Sequence, residues 1–255
     1  KYIQFMAKDN IPFHTLSFPA TILGSREPWK LADYIKGFNW LTYEGGKFST
    51  SQKKGVFMDQ ALSIMGPDYW RWWLLSNAPE GSDSDFTWEN FQLTINKDLS
   101  DVLGNFVSRL TKFTFNKFDN KIPIGIPYSE LEIETINEIN ELILKLEKNL
   151  ENIEIRKSSS NLRSIWVLGN EYLQRSEPWK HYKNNVEKTS MIVRFAFNIL
   201  ALYSYISQPF IPDSSRKIVE CLNLKKTRYW PTKDNPWHEI IEKEHTFYVP
   251  ENLFK

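Results

Sequence analysis

The chain has 255 residues and a formal net charge of +1, which leaves room for one large domain or two ordinary ones with a real core. So near-neutral a balance excludes a nucleic-acid binder that works by bulk positive charge, while a local basic patch still serves, because binding depends on where the charge sits. The one cysteine, Cys221, excludes an internal disulfide and a cysteine-only zinc site, and fits a reducing, cytoplasmic setting.

Residues 1–6 alternate like a strand, and residues 13–23 form an apolar stretch in which Pro19 suits a helix start. The aromatic run 38–43 predicts a strand, and Gly45-Gly46 a tight turn. A polar loop with three lysines follows over 47–55. Residues 57–65 read as a helix ended by Gly66-Pro67, and 68–75 as a second helix with Asp68 as its N-cap. From Thr87 onward the pattern is helical. Trp88, Phe91, Ile95, Leu99, Val102, Leu103, Phe106 and Leu110 recur at three- and four-residue steps.

A Pro/Gly break over 121–127 precedes a long amphipathic helix over 130–155. Ser158-Ser159-Ser160 is expected to cap the next helix, which runs to about Gln174. Glu177-Pro178-Trp179 opens another region. The apolar segment 192–211 is interrupted by Arg194, Asn198, Ser204, Ser207 and Gln208, so it reads as a buried helix and not as a membrane span. A short helix over 214–222 follows, and from Thr227 the tail is irregular. The frequent aromatics, ten of them tryptophan, read mainly as core packing. The chain opens in a strand without Met and stops abruptly at Lys255, as expected of a piece of something longer.

The loop Gly45-Gly46-Lys47-Phe48-Ser49-Thr50-Ser51 suits triphosphate chemistry. A lysine is a compact charge that can meet a leaving pyrophosphate, glycines let the backbone approach, and hydroxyls add donors. Lys47-Phe48-Ser49-Thr50-Ser51 resembles the KMSKS signature of class I aminoacyl-tRNA synthetases. Upstream, Phe5-Met6-Ala7-Lys8-Asp9-Asn10-Ile11-Pro12-Phe13-His14 is similar to the stretch that closes the nucleotide pocket in the methionyl-tRNA synthetase family. The resemblance implies that Lys8, Asp9 and Lys47 bind ATP. It assigns catalysis to Lys47, Ser49, Thr50 and Ser51, and the methionine pocket to Phe13, His14 and Phe18. Two departures stand out: Ala7 replaces a common glycine, and Thr50 replaces the signature's second lysine, with Lys53 and Lys54 just downstream as substitute charge.

Two later runs, 103–109 and 170–179, are similar to those that read the anticodon in this family. They imply that Asn105, Arg109 and Trp179 contact it. Asn105 and Arg109 lie four apart, hence on one helix face, where an amide and a guanidinium suit base edges and phosphate.

The resemblance covers essentially the whole chain. It implies a mostly α fold: a carboxy-terminal remnant of a class I Rossmann-type catalytic domain (1–36), a stem-contact region with the KMSKS-type loop (37–97) and a helical anticodon-binding bundle (98–255). None of the four histidines sits in a HIGH-type motif. The expected function is therefore that of a methionine–tRNA ligase lacking its HIGH-containing half, able to bind the anticodon of tRNA-Met but not to aminoacylate. ATP, Mg²⁺ and methionine are implied for the parent enzyme, with no zinc site in this chain and no membrane. The alternative is a free-standing tRNA-binding adaptor with a catalytic remnant.

Overall fold

The computed structural model describes residues 1–224, 230–232, 234–241, 244–251 and 253–254. The tail expected to be irregular from Thr227, and the terminal run through Asn252 to Lys255, lie partly outside the described residues.

Strand β1 (Ile3–Ala7) pairs in parallel with β2 (Tyr34–Phe38), Ile3 opposite Tyr34 and Ala7 opposite Phe38. A parallel pair needs a crossover. It is made by a 3₁₀ turn (Lys8–Asn10), a π-helical turn (Phe13–Ser17) and α1 (Phe18–Ser25), with proline in the first turn of α1. A second parallel pair, β3 (Leu41–Tyr43) with β4 (Ser84–Phe86), is crossed over by the lysine loop, α2 (Met58–Ile64) and α3 (Pro67–Ser76). The stretch 38–43 is thus two strand ends in two sheets and not one strand. The chain breaks there because Asn39 donates its N–H to Pro79 O (2.8 Å) and Trp40 donates its own to the Asp83 carboxylate (2.9 Å), which takes both donors out of any ladder.

A single helical path then runs through α4 (Trp88–Ile95), a π-helical stretch (Asn96–Gly104) and α5 (Asn105–Phe118). Thr87 caps it, its hydroxyl accepting from the Asn90 amide at 3.1 Å. Phe91, Ile95, Leu99, Leu103, Phe106 and Leu110 are buried as the spacing predicts, while Trp88 stays 38% exposed. The wider π turn keeps Leu99 and Leu103 on the inner side while delivering Asn105 to solvent.

The bundle continues with α6 (Glu130–Glu151), α7 (Ile155–Ser176), α8 (Pro178–His181), α9 (Val186–Ile206) and α10 (Pro212–Cys221). Ser129 and Glu132 form a capping box on α6, and Glu132 also accepts the Tyr172 hydroxyl of α7 at 2.7 Å. Helix α9 is the expected apolar one. It is long and apolar enough to cross a membrane by length and composition, yet 89% of that window is buried inside the protein, as for a core helix.

Two expected caps are corrected. Asp68 does not cap its own helix, where Gly66 is the N-cap and Pro67 leads. Its buried carboxylate instead accepts from the amides of Ser214 (2.6 Å) and Asp213 (3.3 Å), capping α10. Ser158 and Ser159 lie about one turn into α7 and donate back to Glu154 O and Ile155 O, as helix-interior serines do. The start of α7 is capped from outside, by Glu80.

Helix α3 joins the two parts. Arg71 donates to Phe210 O (3.0 Å) and Pro209 O (2.6 Å), and Trp72 donates from its indole to Asp98 (3.1 Å), which also holds Arg163 of α7. Trp70, Trp72 and Trp73 are all buried, which is the packing role expected of them.

Candidate functional site

Lys8 leaves the end of β1 on the 3₁₀ turn. Its ammonium lies 2.9 Å from Asp83, 3.4 Å from the Asn39 side-chain oxygen and 4.3 Å from the centre of the Trp40 ring. The Lys47 ammonium lies 5.3 Å from the same ring. Lys8 and Lys47, far apart in sequence, thus flank one indole. Two cations held against one aromatic ring suit a polyanion that meets both. Asp83 is held below the usual carboxylate range by the Lys8 ammonium and then by the Trp40 amide.

Trp40 and Asp83 were not legible as site residues. The sole hint is an acidic pair, Asp83 and Asp85, in a loop facing a lysine-rich one. Asp85 accepts the Gly45 amide at 3.0 Å, and Gly45 itself needs its glycine, at φ +72°.

The loop is a hairpin with two closures. Tyr43 and Gly46 exchange backbone hydrogen bonds at its root (2.7 and 3.0 Å), and Ser49 and Lys54 exchange another pair (2.8 and 2.9 Å) around Thr50, Ser51, Gln52 and Lys53. The hydroxyls of Ser49 and Ser51 are 3.2 Å apart. Phe48 anchors the loop: its ring packs on Tyr43 (5.5 Å between centres) and so closely on Gly55, at φ +141°, that a Cβ there would collide. With Trp70, Phe86 and Val56 it lines an apolar cleft of about 310 Å³. The ammonium of Lys54 folds back over Gly46, beside Lys47 in sequence.

Asp9 is exposed on the 3₁₀ turn and makes no hydrogen bond or ion pair among the described residues. Phe13 is exposed, Phe18 half-buried, and the backbone N–H of Phe18 donates to Phe13 O across the π turn. His14 is tied to β1, its Nδ1 3.1 Å from the Gln4 side-chain oxygen, while Gln4 donates to the Tyr2 hydroxyl at 2.6 Å.

In the bundle, Asn105 opens α5 exposed, and Arg109 follows one turn on. The Arg109 guanidinium sits 5.0 Å from the centre of the Trp179 ring. Trp179 owes its position to Glu177, which turns the chain left-handed (φ +42°), and to Pro178 at the start of α8. It is 38% exposed, a large ring half open to solvent. Beside it Tyr182 packs on Phe113 and Phe118, with the Lys117 ammonium 5.0 Å above its ring. Asn105 also lines a cleft of about 570 Å³ with Ser108, Asp101 and the chain end at Pro250 and Phe254. Phe254 reaches Tyr69 of α3 (5.8 Å between ring centres), so the tail packs toward the joint between the two parts. Among the described residues no group of three or more His, Cys, Asp or Glu could hold a metal ion.

Residues 1–111 match the family model for class I tRNA synthetases (M), and residues 122–255 that for the anticodon-binding domain of methionyl-tRNA ligase. A methionine–tRNA ligase of Cereibacter sphaeroides is 54% identical over all of this chain, which spans 44% of that protein. One from Paracoccus denitrificans is 55% identical over 99% of the chain and again 44% of its own length. The chain therefore spans less than half the length of these curated relatives. Among solved structures, a Mycobacterium tuberculosis methionyl-tRNA synthetase in complex with methionyl-adenylate superposes with a TM-score of 0.87. It is 19% identical and covers 99% of this chain and 49% of that one.

Proposed function

The chain belongs to the methionyl-tRNA synthetase family of class I synthetases, and on that premise we propose that the complete protein is a cytoplasmic methionine–tRNA ligase using ATP with Mg²⁺. The division into catalytic remnant (1–36), stem-contact region (37–97) and anticodon bundle (98–255) is part of the same proposal. The observation that carries it is the meeting of Arg109 with Trp179, a cation over a half-exposed ring at 5.0 Å, one helical turn from Asn105. Such a surface offers a stacking platform, a charge for phosphate and an amide for base edges.

At the other end, activation joins the methionine carboxylate to the α-phosphorus of ATP while pyrophosphate leaves. Negative charge then grows on the leaving oxygens, where Lys8 and Lys47 converge on Trp40. Ser49 and Ser51 add hydroxyl donors, and Asp9, which has no partner among the described residues, offers an acceptor for ribose hydroxyls. Phe13, His14 and Phe18 lie on the crossover beside β1, where aromatic edges suit a thioether.

The test is a pair of measurements. The 255-residue chain is expected to bind a tRNA-Met anticodon stem-loop without methionine-dependent pyrophosphate exchange, and the complete protein to do both. Exchange by the 255 residues alone would overturn the two-part division of labour. A complete protein that exchanges with another amino acid, or with none, would overturn the ligase assignment.

Thr50 leaves the loop one lysine short, and the fold of Lys54 over Gly46 puts a second ammonium at the loop root. Changing Lys53 and Lys54 together to alanine in the complete protein is expected to slow adenylate formation roughly tenfold, about 1.4 kcal/mol of barrier. Unchanged exchange kinetics would sink that role.

A further inference from the structure

One turn of chain, residues 79–83, touches the lysine cluster on one side and the start of α7 on the other. On one side Asp83 binds Lys8 (2.9 Å) and the Trp40 amide (2.9 Å), and Trp40 is the ring beneath Lys8 and Lys47. Asn39 ties into the same turn: its N–H donates to Pro79 O (2.8 Å), its side-chain amide donates to Glu80 O (3.4 Å), and its side-chain oxygen accepts from Lys8 (3.4 Å). On the other side, the Glu80 carboxylate accepts from the amides of Ile155 (3.0 Å) and Arg156 (2.9 Å), the first two residues of α7. The same carboxylate pairs with Lys36 of β2 at 2.8 Å, and both side chains are less than one-fifth exposed. Burial works to raise the Glu80 carboxyl, but Lys36 and the two helix amides outweigh it and hold it below the usual carboxylate range.

Helix α7 is a rod of 22 residues, roughly 33 Å long at 1.5 Å per residue. It is pinned along its length by Arg163 to Asp98, by Trp166 to Ser207 (3.0 Å) and by Tyr172 to Glu132 (2.7 Å). Its far end leads directly through Glu177 and Pro178 to Trp179. One end of a stiff helix therefore carries the anticodon platform, and the other is held by the turn that seats the nucleotide lysines.

We infer that Glu80 is a positioning residue that couples occupancy of the Trp179 platform to the seating of Lys8 and Lys47, through its joint hold on α7 and Lys36. The inference rests on the synthetase reading above. A shift of α7 on binding the anticodon loop moves its first two amides. Glu80 follows because releasing the amides strips a largely buried carboxylate of two hydrogen bonds, and releasing Lys36 leaves its charge unpaired. Coupling between two sites is a free energy and acts in both directions.

The experiment uses the complete protein and two variants, Glu80→Gln and Lys36→Met, which break the bridge from opposite sides. Methionine-dependent pyrophosphate exchange without tRNA is expected to stay within about twofold of wild type. Aminoacylation of cognate tRNA is expected to lose about tenfold in kcat at unchanged KM, so that the ratio of cognate to anticodon-altered tRNA falls about tenfold. Binding of the isolated anticodon stem-loop is expected to stay unchanged. A purely structural role lowers Tm and leaves that ratio intact, and an intact ratio in the folded variants overturns the inference. If Glu80→Gln does not fold, Lys36→Met alone decides. Failure of the synthetase reading is distinguishable, because wild type would then show no methionine-dependent exchange.

Discussion

Replacing Lys47 with alanine in the complete protein is expected to cut methionine-dependent pyrophosphate exchange by about 10²–10³-fold, with the KM for methionine little changed. The size follows from what the ammonium does. A preorganised donor aimed at charge that appears only in the transition state is worth about 2.7–4 kcal/mol in comparable sites. An interaction made only there lowers kcat and kcat/KM together. The structure gives Lys47 that preorganisation. The hairpin closes at Tyr43–Gly46 and again at Ser49–Lys54, Phe48 is locked against Gly55, and the ammonium rests near Trp40 with no carboxylate partner among the described residues. Lys8 is expected to matter less, since Asp83 already takes part of its charge in a pair half open to solvent. Arginine at position 47 should restore little, because its planar fork does not replace a compact ammonium. A loss below tenfold for Lys47→Ala would sink the assignment and shift the role to Lys53 and Lys54.

What was legible in the sequence had a local cause. Gly45 and Gly46 announce a turn because their neighbours leave no other reason for paired glycines, and the turn is there with Gly45 at positive φ. The apolar stripe from Phe91 to Leu110 announces a helix face, and it is buried. Asn105 and Arg109 share a face by spacing alone, but the meeting of Arg109 with Trp179 was reachable only through resemblance, since nothing local says where α8 lands. The illegible residues act across the chain. Trp40 is bound to Asp83 across 43 residues, and Asp68 caps α10 across 146. A carboxylate just after a helix-starting proline looks like a cap for its own helix. Which amides it meets is decided by tertiary packing, and here the buried face of α3 turns it to another helix. For the same reason the serines of α7 misled, because Glu80 arrives from outside to cap that helix.

Replacing Trp179 with alanine is expected to weaken binding of the tRNA-Met anticodon stem-loop by about five- to 150-fold, from the roughly 1–3 kcal/mol that a base gains on an aromatic face. Exchange without tRNA should not change, because Trp179 lies at the far end of α7 from the lysine cluster. Phenylalanine keeps a π face and should recover part of the loss. Arg109→Ala should also weaken binding and should lessen its salt dependence, since a guanidinium on phosphate releases counterions. The two changes are not expected to add. With the guanidinium 5.0 Å from the ring centre, Arg109 braces the indole besides the role proposed for it on the loop, so removing Trp179 is expected to spoil part of what Arg109 does. A double-mutant cycle should therefore show a coupling of about 0.5–2 kcal/mol. Additive losses would mean that the pair does not act as one surface. Unchanged affinity in Trp179→Ala would mean that the anticodon is read elsewhere, with the face of half-buried Tyr182 and exposed Lys117 next to be tested.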